Sequence, residues 1–175
     1  MKTVLLFLTF LPLYLNAQMS FDKSIKKLGL DIDKVIYTNE TVLLYPRGLI
    51  YDLSNPDSVT YFGCLSTDKT SFVNYFENSS ESLKLKVGSK INRIAGEFTD
   101  SIYMEKINQK LLRFSYSDKS RAYKLNSSTQ YVAICYWNSG ALDKDLIKNY
   151  KYFKKYARLH PELNIQILFV STDNF

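Results

Sequence analysis

Two cysteines, one histidine and one tryptophan are the whole stock of several chemically versatile side chains in this chain of 175 residues. Zinc sites draw four ligands from closely spaced Cys and His. Cys64, Cys135 and the lone His160 offer no such spacing, and Asp31-Ile32-Asp33 lacks the pattern of a calcium loop. No metal and no cofactor are therefore expected. Proline (4) and glycine (6) are also scarce, while 46% of residues are hydrophobic, which excludes a disordered or collagen-like chain. Runs of adjacent Lys and Arg never reach four, so the net charge of +6 reads as ordinary solubilising lysines and gives no case for nucleic acid. Beyond the first residues no long apolar segment occurs, and no transmembrane segment is expected in the rest of the chain.

What the sequence does have begins at its start. Met1-Lys2 precedes an apolar run from Thr3 to Leu15, closed by Asn16-Ala17. A short positive start, about a dozen apolar residues and a small residue at the cut are the marks of a secretory signal peptide. Residues 1–17 are assigned to that signal, with cleavage near Ala17 and a periplasmic or extracellular destination. The remainder is one domain's length. An oxidising compartment permits a disulfide between Cys64 and Cys135, and two separately buried thiols are the alternative.

Local patterns sketch an α+β chain. Phe21, Ile25 and Leu28 form an apolar stripe ending at Gly29, as in a short amphipathic helix. Strand-like runs at Val35–Tyr37, Thr41–Tyr45, Leu49–Leu53 and Val59–Leu65, broken by turn residues, predict an antiparallel meander. A helix over 67–77, a short strand over 83–87, a helix near 100–111 with Ile102, Ile107 and Leu111 on one side, and a hairpin joining 114–116 to 121–125 complete an N-terminal portion, 18–126. Asn126-Ser127-Ser128-Thr129 marks the boundary with a C-terminal portion, 127–175.

That second portion carries the clearest signal. Tyr131–Trp137 is an unbroken apolar run, as expected of a strand buried on both faces. Asn138-Ser139-Gly140 makes a loop. Leu142, Leu146, Tyr150, Phe153 and Ala157 then recur at helical spacing over 141–160, until Pro161 stops the helix. Ile165–Ser171 is a second buried strand. Strand, long helix, strand is a βαβ unit, whose two strands run parallel and whose carboxyl ends share one sheet edge. Trp137, Asn138, Ser139, Gly140 and Asp173 fall on that edge and are the candidate binding residues.

Tyr131-Val-Ala-Ile-Cys-Tyr-Trp137, the long helix and Ile165-Gln-Ile-Leu-Phe-Val-Ser-Thr-Asp173 together resemble the thioredoxin-like superfamily, in particular its exported thiol–disulfide reductases. The likeness covers the last quarter of the chain. It implies a thioredoxin-like βαβ following an N-terminal portion of antiparallel strands and short helices. Members of that family carry Cys-x-x-Cys at the helix start, where this chain reads Asn138-Ser139-Gly140-Ala141. The family also continues past the second strand with a hairpin and a closing helix, whereas here two residues follow Asp173. The resemblance implies a scaffold and no catalytic residue.

Other chemistry is thin. Ser139 would need a base within hydrogen-bond reach, and His160 stands at the far end of the same helix, some 30 Å away at 1.5 Å per residue. Capping is the expected role of Ser139, and balancing the helix dipole that of His160. Among the 14 tyrosines, Tyr152 and Tyr156 lie off the apolar stripe and are candidates for exposed contacts with a sugar ring. The chain thus reads as an exported, redox-inactive thioredoxin-like module that binds an envelope protein or peptide. The alternatives are a thiol–disulfide oxidoreductase using Cys64 and Cys135, and a glycan-binding module.

Overall fold

The computed structural model describes residues 21–38, 47–55, 58–64, 69–77, 84–86, 90–91, 102–103, 106–116 and 123–173. The expected signal at 1–17 and the run Thr41–Tyr45 lie outside these residues, as does the 117–122 turn. Helix α1 (21–28) buries Phe21, Ile25 and Leu28, the stripe read from the sequence. Gly29 ends it at φ 65°, a left-handed conformation that costs glycine little. The Leu30 N–H then closes back on Ile25 O at 3.1 Å, satisfying a terminal carbonyl.

Strands β1 (Ile36–Thr38), β2 (Arg47–Asp52), β3 (Ser58–Cys64) and β4 (Lys84–Lys86) precede a separate small pair, β5 (Lys90–Ile91) and β6 (Ile102–Tyr103). Helix α2 (Lys69–Glu77) joins β3 to β4, and α3 (Ile107–Leu111) leads into β7 (Phe114–Tyr116). Then come β8 (Tyr131–Trp137), α4 (Lys144–Leu159) and β9 (Ile165–Ser171). Seven strands form one mixed sheet in the order β4-β3-β2-β8-β9-β1-β7. β8, β9 and β1 run parallel, and β2 and β7 flank them antiparallel.

The α+β class and the parallel β8–β9 pair agree with the sequence reading. Three expectations do not. β1 does not join a meander with β2: it pairs with β9 and β7, on the far side of the parallel pair. Ile102 lies in a strand, so the helix expected from about 100 is the single turn Ile107–Leu111. The run 114–116 pairs with β1, and residues 123–125 are not a strand although the Tyr123 N–H donates to Phe114 O at 3.3 Å; the rest of the expected hairpin lies outside the described residues. Strands from 18–126 and from 127–175 interleave in one sheet, so the 126–129 turn separates no structural units.

Alternation along β8 divides the interior. Ala133, Cys135 and Trp137 face a core built with α1, α2 and α4 through Phe21, Leu28, Phe72, Leu146, Tyr150 and Phe153. Val132, Ile134 and Tyr136 face a second core with Leu49, Ile107, Leu111, Phe114, Tyr123 and Val170. A strand with no polar face can only lie between two covered layers. Tyr150 fixes α4 to it through a hydrogen bond from its hydroxyl to Tyr136 O, 2.6 Å.

Candidate functional site

The parallel register sets Trp137 opposite Ser171, so the chain leaves both strands at the same edge. Thr172 N–H donates to Trp137 O at 3.0 Å and extends the pairing by one bond. Asp173 then turns back over the loop after β8. Its carboxylate accepts the Ser139 N–H at 3.1 and 3.0 Å, the Ser139 hydroxyl at 3.0 Å and the Ser171 hydroxyl at 3.0 Å. Asn138 Oδ1 accepts the Ala141 N–H at 2.7 Å and caps a single 3₁₀ turn, Ser139–Ala141. The edge expected from the sequence is thus assembled as a clamp of side chains upon backbone.

The clamp changes what the edge can do. Helix α4 begins at Lys144, three residues later than the periodicity suggested, and Asp143 caps it by accepting the Leu146 N–H at 2.7 Å. Asn138 and Asp143 hold the two caps, and Ser139 holds neither, contrary to the expected capping role. Two backbone donors of the loop, the Ser139 and Ala141 N–H groups, are already taken by Asp173 and Asn138. His160 sits at the opposite end of α4, its Nδ1 3.1 Å from Glu162 Oε1, so the chain's one imidazole does not face Ser139.

Trp137 is not the surface anchor that its position at the edge suggested. It is fully buried, stacked on Phe21 with centroids 5.7 Å apart at 11°. Its indole N–H meets no acceptor among the described residues. Asn138, Ser139 and Asp173 are half-buried and Gly140 is exposed, so the loop and Asp173 carry the edge to the surface. Tyr37 joins the site unannounced by any motif. It packs 6.0 Å from Phe21, and its phenol is pushed up to about 12 by burial, then by the charges of Asp173 and Asp22. Only the neighbouring of β1 and β9 brings Tyr37 opposite Ser171.

The thiols are separated. Cys135 is opposite Gly48 on β2, and Cys64 is opposite Arg47 on the other side of β2. Two strand spacings put their Cα atoms about 9–10 Å apart, beyond the ~7 Å that a disulfide spans. Cys135 is a free thiol, wholly buried, and burial raises its pKa well above the ordinary thiol range. The disulfide alternative is therefore not supported, with Cys135 free. Tyr156 also departs from expectation: it is buried against Phe72 and Phe76 of α2, and Tyr152 is half-buried beside it. The apolar stripe of α4 is wider than its strict periodicity because α2 packs on its flank.

Among the described residues no helix is long and apolar enough to cross a membrane. No three of His, Cys, Asp and Glu gather there as metal ligands would. Fold and edge define a mixed-sheet α+β protein with an internally clamped loop. Comparison of the chain with protein-family models, curated proteins and solved structures returns no match.

Proposed function

We propose that this is an exported thioredoxin-like protein without thiol redox chemistry, acting as a binding or accessory module for a protein or peptide of the cell envelope. One observation carries the redox-inactive part. The loop that holds Cys-x-x-Cys in the thioredoxin-like reductases is here Asn138–Ala141, tied down by Asp173, while the nearest thiol in sequence, Cys135, is buried in the strand before it. A reactive thiolate needs exposure and a lowered pKa, and Cys135 has the reverse of both.

The thioredoxin-like part draws support from the sheet. β8, α4 and β9 give the parallel unit, and the hairpin β2–β3 lies against the outer side of β8. In the family a hairpin follows the unit in sequence; here the hairpin beside β8 precedes it. The buried ring of Tyr156 weakens the glycan alternative, and the β2 strand between Cys64 and Cys135 weakens the redox one. Export rests on the Met1–Ala17 pattern.

The purified protein is expected to leave insulin disulfides unreduced above background in the presence of dithiol. Turnover that disappears in Cys135→Ser would overturn the redox-inactive reading and establish the oxidoreductase.

A further inference from the structure

A cleft of about 470 Å³ opens between the end of α1, the C-terminal half of α4 and Ile167 of β9. Leu28, Ala157 and Ile167 supply its apolar floor, and Lys151, Lys154 and Arg158 its rim. Its size falls in the range of ligand-binding clefts. No lining residue is acidic, and none of the three cations pairs with a carboxylate among the described residues. The cations recur at i, i+3 and i+7, which places them on one side of α4 over about 10 Å of its length. Lys154 Nζ lies 5.9 Å from the centre of the Phe169 ring, a cation–π contact that holds it beside the cleft.

We infer that this cleft docks an acidic peptide segment of a partner protein, with an apolar side chain on the floor and carboxylates on the flanking cations. The inference assigns a site and a partner chemistry that the proposed function leaves open, and it uses none of the residues around Asp173. Spread along α4, the cations suit several carboxylates on one chain better than a single anionic headgroup. An extended peptide presents residues i, i+2 and i+4 on one side over about 13 Å. The order acidic, apolar, acidic at those positions matches a floor bracketed by Lys151 and Arg158.

The test is a fluorescence-anisotropy titration with a labelled ten-residue peptide repeating Glu-Ser-Leu-Ser, on the mature chain with amide spectra recorded for every variant. Saturable binding is expected, weakened by salt and lost when Gln replaces Glu in the peptide. Lys154→Glu with Arg158→Glu should weaken it roughly tenfold or more. Lys144→Glu with Lys148→Glu, an equal change of net charge elsewhere on α4, should leave it nearly unchanged. Ala157→Arg separates seating from mere attraction: it adds a cation but fills the floor, so a seated peptide binds less tightly. Undiminished binding to a folded Ala157→Arg chain, equal losses in the two charge-reversed pairs, or no binding at all would overturn the inference. Displacement of the peptide by phosphatidylglycerol vesicles, with the vesicles binding more tightly, would overturn it in favour of a lipid surface.

Discussion

Removing the Asp173 carboxylate is the most direct perturbation of the loop after β8. In Asp173→Ala the Ser139 N–H and the Ser139 and Ser171 hydroxyls lose their common acceptor. Hydrogen bonds to a charged group are worth about 1.5–3 kcal/mol each when well buried. Here the carboxylate is half-exposed and the hydroxyls can turn to water, so one such bond, about 2 kcal/mol in all, is the reasonable total. For a domain of this size that lowers Tm by roughly 4–8 °C. Asp173→Asn keeps one oxygen acceptor and should cost about half as much. A second readout depends on charge and not on packing. Tyr37 is held up by burial first and by the Asp173 charge second, so Asp173→Asn should lower its pKa from about 12 without returning it to 10. Thermal melts and a pH titration of the Tyr37 ring carbon by NMR measure the two effects. An unchanged melt together with an unchanged Tyr37 titration would refute the clamp.

Ile134 is fully buried at the centre of β8, so Ile134→Asp sets a charge among Leu49, Phe114 and Leu168 and should cost about 4 kcal/mol or more; a mutant melting like the parent would refute the two-sided burial of that strand. Alkaline pH should destabilise the protein. Burial raises Tyr37, Tyr75, Tyr123, Tyr131, Tyr156 and Cys135 above their unfolded values, so each is held neutral by the fold. Their contribution is intact below about pH 9 and is lost as pH rises through the unfolded and then the folded values. Urea midpoints should therefore fall between pH 9 and 12, and midpoints constant over that range would contradict the burial of these groups.

Local pattern determined the elements whose environment is uniform along their length. β8 and β9 read as buried strands because nearly every side chain is apolar, and α4 read as a helix because its stripe persists for four turns. Their parallel pairing followed from the connection alone, since a long helix between two strands leaves little else to form. Export is proposed from the pattern of the first residues alone, which lie outside the described residues. Periodicity states which face is buried and is silent about what buries it, and there the reading ended. Phe21 declared a stripe, but only the fold stacked it on Trp137 and removed the supposed anchor from the surface. Tyr156 sat off the stripe of α4 until α2 covered its flank. The neighbours of the parallel pair, β2 on one side and β1 on the other, come from parts of the chain about a hundred residues away, with no local mark of partner or order. Both edges of β8–β9 carry unpaired backbone groups that must be satisfied, and whichever strands also cover the apolar faces take the places. That nonlocal choice set Tyr37 beside Ser171 and put β2 between Cys64 and Cys135.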